Sequence, residues 1–330
     1  MALVRTATEI WSKFWEKNPS NEASVSLLPA STNKTVIETS PTKKPSTWFV
    51  TGASSGLGLS IALQALSVGH KVFGTSRDII KARNSAPHFE AAGGIWVELD
   101  PGQKSAFDQM RQFSQENPID VLVNNAGYCF IGAVEDTDEE EVRTQMEVNY
   151  YGPLRILKAV LPGMRERRKG ELILVSSGAG FLSKPCRGTY SSSKFAIEAV
   201  HEALSHELKA FDVNVLIVEP GAFRTGFGNL VTTPAKYYEN GGFSEGYRGT
   251  IVQRQVSGAM NVSKWTHLIR GDPEKAGKAV VKVFEDGHDF LRLPLGTDFA
   301  DAMDAKITTL RKDFETTSKY AYSMEYDNLD

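Results

Sequence analysis

The sequence predicts an α/β fold: a doubly wound parallel sheet forming a single domain over residues 46–330, behind an N-terminal extension over residues 1–45. Three observations carry this reading. From Thr47 onward, short β-rich runs alternate with longer amphipathic stretches, the order that a parallel sheet wrapped by helices on both faces requires. Clusters of glycine and small polar residues (TGASSGLG, TSRD, ELDP, NNAG, VSSGAG, EPGAFRT) follow the predicted strands, and such sheets bind ligands at those strand ends. Composition also shifts near Ser46, where a stretch rich in Ser, Thr, Asn and Pro gives way to apolar periodicity.

In order along the chain, residues 1–18 place Leu3, Val4, Ala7, Ile10, Trp11, Phe14 and Trp15 at helical spacing, with Arg5, Lys13 and Lys17 among the polar positions. Two readings stand for this segment: peripheral contact with a membrane interface, or a short helix packed on the domain or a partner subunit. Glu9 and Glu16 argue against a mitochondrial presequence, and no cleavage pattern of the secretory type follows. Residues 18–46 read as a mobile linker. Strands are expected at 47–52, 71–76, 94–99, 119–125, 171–177, 213–220 and 290–295, and helices at 57–68, 103–116, 138–168, 190–210 and 273–286. Thr137 with Glu140 reads as a capping box, Asp272-Pro273 as a cap followed by proline at the first helical position, and the basic run Arg165 to Lys169 as a solvated helix C-terminus.

Composition excludes several functions. The chain has 330 residues, 41% of them apolar and 23% charged, with a formal net charge of −3. It has no basic patch interleaved with aromatics, so no nucleic-acid partner is expected. Cys129 and Cys186 are the only cysteines and form no C-x-x-C, and the six histidines show no ligand spacing. A reducing, cytoplasmic setting without a metal is the expectation. No run approaches eighteen apolar residues, the length a membrane span needs.

Chemistry enters at residues 51–58, TGASSGLG. Gly52, Gly56 and Gly58 lie between an apolar strand and a helix, so the helix would point free N–H groups and its positive dipole end at the turn. A pyrophosphate fits there, yet a structural strand-to-helix turn would use the same glycines. Further along, Tyr190 and Lys194 in TYSSSK are four residues apart on a predicted helix, about 6 Å along its axis. An ammonium near a phenol lowers its pKa toward neutrality, and a phenol so tuned exchanges a proton with a carbonyl or alcohol oxygen.

With TGASSGLG, NNAG at 124–127 and YSSSK at 190–194 in this order, the sequence resembles the short-chain dehydrogenase/reductase family over residues 47–225, and more loosely to 295. The resemblance implies a Rossmann-type fold, a nicotinamide cofactor, a small-molecule carbonyl or alcohol substrate and a homo-oligomer. It implies that Tyr190 is the general acid/base, that Ser177 bonds the substrate oxygen, and that Lys194 tunes the phenol and bonds the nicotinamide ribose. Asn149 would hold a water in a relay. The cofactor loop would be Gly52, Ser54, Ser55, Gly56, Leu57 and Gly58; Asn124, Ala126 and Gly127 would border the cofactor; Asp100 would accept from the adenine; and Pro220, Gly221 and Thr225 would place the carboxamide. Asn149 as a bridge across a helix kink, Asp100 as a cap and Thr225 as a turn residue are structural alternatives.

Ser76 stands where this family's NAD enzymes carry aspartate, and Arg77 follows it, so the expected cofactor is NADP(H). Asp78 is the competing partner for that guanidinium. Residues 226–270, with Phe227, Tyr237, Tyr238, Phe243, Tyr247 and Trp265, read either as a lid over an apolar, ring-containing substrate or as a loop anchored by its aromatics. Hydride transfer is the favoured reaction; an isomerase or dehydratase using the same residues, and a catalytically idle NADP-binding sensor, are the alternatives.

Overall fold

The computed structural model describes residues 44–262 and 267–324. The expectations for residues 1–18, for the linker up to residue 43 and for Trp265 lie outside the described residues.

Seven parallel strands form the main sheet: β1 Thr47–Val50, β2 Lys71–Ser76, β3 Ile95–Glu98, β4 Val121–Asn124, β6 Gly170–Val175, β7 Val213–Pro220 and β9 Arg292–Leu295. Their order is β3-β2-β1-β4-β6-β7-β9, all neighbours parallel. A separate two-stranded pairing joins β5 Cys129–Phe130 to β8 Val231–Thr232. The α-helices of the described residues are α1 Gly56–Ser67, α2 Ile79–Ser85, α3 Pro87–Ala91, α4 Ala106–Glu116, α5 Glu139–Met146, α6 Gly152–Arg167, α7 Gly188–Glu207, α8 Ile251–Met260, α9 Pro273–Asp286 and α10 Thr297–Ala321, with short 3-10 turns between them.

Strand alternation explains why these strands are apolar throughout. In β1, Trp48 and Val50 face one side and Phe49 the other, and all three are fully buried. On the first side they pack with Ile61, Ala62 and Ala65 of α1 and Val280, Val281 and Phe284 of α9. On the second, Phe49 and Leu122 meet Met110 of α4 and Ile156, Leu157 and Val160 of α6. Helices therefore cover both faces, and the strand order reverses between β1 and β4, whose C-terminal ends open one crevice.

The helix expected over 138–168 is divided. A π-helical turn, Glu147–Tyr151, separates α5 from α6, and Asn149 in that turn is buried. The N-terminal cap of α5 also sits one residue later than the Thr137/Glu140 pairing: Glu141 Oε2 accepts from the Asp138 amide at 2.9 Å, while the Thr137 hydroxyl donates to Ala133 O at 2.7 Å. The Asp272 cap forms as expected, its Oδ1 accepting from Glu274 N at 2.9 Å.

Gly277 lets α9 cross α1 backbone to backbone. A Cβ there would lie 2.6 Å from Ser60 O and 2.7 Å from Ser60 C, atoms that cannot swing away. Gly277→Ala is expected to destabilise the fold by about 1–3 kcal/mol, the usual range for overpacking, read as a lowered urea midpoint; an unchanged midpoint would mean that the two helices slide apart freely.

Candidate active site

The strand ends and the loops beyond them line one open cleft of about 1840 Å³. Its walls include Gly52, Ser54, Ser55, Gly56 and Leu57 after β1, Ser76 and Arg77 after β2, Asp100 after β3, Ala126 and Gly127 after β4, Ser177 after β6, Tyr190 and Lys194 of α7, and Pro220, Gly221 and Thr225 after β7. Residues far apart in sequence are brought together because every βα connection leaves the same edge of the sheet.

Three expected residues stand behind that wall. Gly58 is packed under the loop, where a Cβ would lie 2.4 Å from Asn125 Nδ2 and 2.5 Å from Gly52 O. The Asn124 side chain points away toward α6, its Nδ2 donating to Pro153 O at 3.2 Å. Asn149 is a clamp: its Oδ1 accepts from Tyr128 N at 3.2 Å, and its Nδ2 donates to Tyr128 O at 3.0 Å and Ser193 Oγ at 3.1 Å. These bonds tie the π turn, a form frequent at functional sites, to the loop that follows NNAG and to the helix carrying Tyr190.

The glycine loop is built to receive an anion. Gly52 and Gly56 adopt φ of +65° and +58°, conformations that glycine takes without strain. α1 opens with no acidic residue in its first turn and no side-chain cap on its amides, so its N–H groups face the cleft without a side-chain partner. Asn125, which the motif reading passed over, holds this loop by donating to Thr51 O at 2.9 Å and Gly52 O at 3.1 Å. Its signal lay in NNAG: two adjacent asparagines on a strand end must point opposite ways, one to the helix layer and one to the loop.

At the tip of β2, Asp78 does not take Arg77. Its carboxylate caps α2, Oδ1 accepting from Lys81 N at 2.8 Å, and Ser76 Oγ donates to Asp78 O at 2.9 Å. Among the described residues Arg77 has no ion-pair partner, and Lys81 lines the same corner of the cleft. Asp100 and Thr225 show local bonds as well: Asp100 Oδ1 accepts from Gly102 N at 3.0 Å, and Thr225 Oγ1 from Phe227 N at 3.3 Å.

Ser177, Tyr190 and Lys194 converge. Ser177 caps the turn Gly178–Gly180, its Oγ accepting from Ala179 N at 3.1 Å, and its side chain lies beside the Tyr190 phenol. The Lys194 ammonium donates to Val175 O at 3.1 Å. One expectation is corrected here. Burial raises the Tyr190 phenol above its ordinary value, with the neighbouring Cys129 adding and Ser177 opposing, so the phenol is not drawn toward neutrality. Burial also lowers Lys194 to about 8. Desolvation dominates both shifts, and helical spacing by itself does not disclose burial. Both thiols are buried, and burial pushes Cys129 up to about 11. That argues against a nucleophilic role.

Of the aromatics at 226–270, Phe227 lines the cleft, with its ring centroid 6.5 Å from that of Tyr190. Phe243 is buried and Tyr247 packs on it with Val252 and Val256, so these two anchor the segment. Arg187, one turn before Tyr190, lines the cleft too and was not anticipated.

Beneath the site lies a charged support. Ser176 Oγ donates to Glu198 at 2.5 Å, and Arg292 bridges Glu198, Glu219 and Glu202 at 2.5, 2.8 and 2.9 Å. Burial, with the like charge of Glu198 adding, pushes the Glu219 carboxyl up to about 7 from an ordinary 4.5. The folded state then keeps a proton that the unfolded chain has released, so this group's contribution to stability falls as pH rises between those values. The urea midpoint of wild type is expected to decline across that window, and that of Glu219→Gln to decline less; parallel profiles would remove Glu219 from the titration.

A doubly wound parallel sheet with an anion-receiving glycine loop and a Ser, Tyr and Lys cluster at its carboxyl edge is that of a nucleotide-binding oxidoreductase. Comparison with known proteins gives the family: the family model for short chain dehydrogenases matches residues 46–235, and the chain belongs to that family. An oxidoreductase of Passalora fulva is 37% identical over 218 residues, 66% of this chain and 97% of that protein. A 3-ketodihydrosphingosine reductase of Bacteroides thetaiotaomicron is 36% identical over 244 residues, 73% and 84% of the two chains. The crystal structure of a short-chain dehydrogenase from Streptomyces avermitilis aligns with a TM-score of 0.73 at 32% identity, over 86% of this chain and all of that one. Two more distant structures share the fold: one from Sphingobium yanoikuyae in complex with NADPH (TM-score 0.62, 18% identity, 87% and 99% covered) and one from Burkholderia phymatum in complex with NAD (0.68, 20%, 83% and 95%). Among the described residues, no helix is long and apolar enough to cross a membrane.

Proposed function

We propose that the protein is an NADP(H)-dependent oxidoreductase that interconverts a carbonyl and a secondary alcohol on an apolar small molecule. The observation that carries this reading is the joint placement of Tyr190, Ser177 and Lys194 in the cleft whose other end is the glycine loop. The loop and the α1 amides fit a pyrophosphate, and Arg77 with Lys81 fits a further phosphate at the β2 tip. The nicotinamide, when bound, supplies hydride donor or acceptor chemistry.

This chain's own residues do the rest. Tyr190, held protonated by burial, gives its proton to the substrate oxygen as that oxygen gains charge in reduction. Ser177 donates a hydrogen bond to the same oxygen. Lys194 stands on the same face of α7, where its ammonium favours a phenolate once the proton has left. Asn149 fixes the backbone of Tyr128 and the Ser193 hydroxyl behind these groups. Phe227, Ile131, Leu230 and Val262 give the substrate end an apolar lining, which supports reading residues 226–270 as the substrate lid. NADPH oxidation monitored with a panel of apolar ketones tests the reading. Turnover of one or more is expected. Cofactor binding without turnover of any ketone, or of the corresponding alcohols with NADP⁺, would favour the idle sensor instead.

A further inference from the structure

The C-terminal helix α10 has an apolar stripe that nothing among the described residues of the protomer covers. Its first turn is fixed to the body: Phe299 is buried against Gly178, where a Cβ would lie 2.4 Å from the ring, and Asp298 Oδ2 accepts from Ala222 N at 2.9 Å. Beyond that root, Met303, Ile307, Leu310, Phe314, Thr317 and Ala321 recur at alternating spacings of four and three, the d and a positions of a heptad. Ile307, Leu310 and Phe314 are 45%, 47% and 56% exposed.

The charges beside the stripe say what covers it. Asp304 and Arg311 take the e positions, Lys306 and Asp313 the g positions, and none of the four has an ion-pair partner within the protomer among the described residues. In an antiparallel pair, e positions face e and g positions face g. If Ile307 of one copy packs level with Leu310 of the other, Met303 lies level with Phe314, Asp304 faces Arg311 and Lys306 faces Asp313. The two-fold axis repeats each pair. Sliding the helices by one heptad in either direction sets Asp304 against Asp304 and Lys306 against Lys306, or Arg311 against Arg311 and Asp313 against Asp313. A parallel pair sets Lys306 against Arg311. One register is complementary, and its neighbours are repelled, which is how charge specifies a partner.

The geometry points to a second copy of this chain as the occupant: α10 pairs antiparallel with α10 of another molecule in the Ile307/Leu310 register, forming one interface of a homo-oligomer. Because the root of α10 holds Gly178 and Ala222, this interface is joined to two loops of the cleft. The contact is short, about 28 Å of helix at 1.5 Å per residue, so the association belongs to the weaker size class.

Sedimentation velocity of the full chain over a concentration series tests this. Leu310→Asp, at an exposed position, is expected to sediment at half the wild-type mass with an unchanged melting temperature. Asp304→Arg is expected to weaken the association about tenfold, since two attractive pairs become repulsive, and the exchange Asp304→Arg with Arg311→Asp to restore it. The proposal is overturned if Leu310→Asp leaves the mass unchanged, if the exchange is no tighter than the single reversal, or if the interface is lost on removing residues 1–43. Wild type with the mass of Leu310→Asp at every concentration, together with vesicle binding that Leu310→Asp abolishes, would give the stripe to a lipid surface instead.

Discussion

Tyr190→Phe is expected to lower kcat by about 10²–10⁴-fold, the range that a positioned general acid contributes, while leaving cofactor affinity nearly unchanged. The substitution removes one hydroxyl and no contact of the glycine loop, which is held by Asn125 and Thr51. It also keeps the ring that faces Phe227. The fold is expected to tolerate it well, because burial raises the phenol and its loss leaves no buried charge behind. Single-turnover hydride transfer, with NADPH binding measured separately by fluorescence, distinguishes the outcomes. Near-wild-type turnover would take the proton away from Tyr190; loss of NADPH binding alongside turnover would instead make the residue part of the cofactor site.

The second large effect concerns cofactor choice. Wild type is expected to favour NADPH over NADH in kcat/KM, and Ser76→Asp/Arg77→Ala to reverse the preference. At the β2 tip, Asp78 is committed to capping α2, so Arg77 is free to meet a 2′-phosphate, with Lys81 beside it. Charge-assisted bonds to phosphate are roughly twice as strong as neutral ones, and every 1.4 kcal/mol is about tenfold in affinity. Placing a carboxylate at Ser76 repels that phosphate and offers an acceptor to a ribose hydroxyl instead. A change in the NADPH:NADH ratio of about tenfold or more is expected, shrinking with added salt because the site is exposed. A wild type indifferent to the two cofactors, or a ratio that the double substitution leaves alone, would remove Arg77 from this role.

Both predictions start from residues visible in the sequence, and the limits of that visibility are physical. The strand-helix alternation, the glycine loop and the Tyr190/Lys194 pair are local patterns with fixed spacing, so periodicity and motif order disclosed them. Spacing also put Gly58, Asn124 and Asn149 at the site, but not behind its wall. Whether a side chain faces a cleft or a helix depends on what the neighbouring strand and helix leave open, and Gly58 is closed off by Asn125, 67 positions further along the chain. The π turn at Asn149 was likewise hidden inside an unbroken helical pattern.

By itself the sequence determined the class of fold and the edge of the sheet where ligands gather, and through family resemblance it put forward Ser177, Tyr190 and Lys194 for the proton exchange, because each pattern lies within one element or in the order of elements. Tertiary structure alone decided the direction in which Tyr190 and Lys194 shift, the freedom of Arg77 and the exposure of the α10 stripe. Burial, which raises Tyr190 and lowers Lys194, is a property of everything packed around a group. An ion pair, too, is formed or forgone according to which competing donor lies nearest in space: Asp78 takes the amide of Lys81 and leaves Arg77 to the cleft.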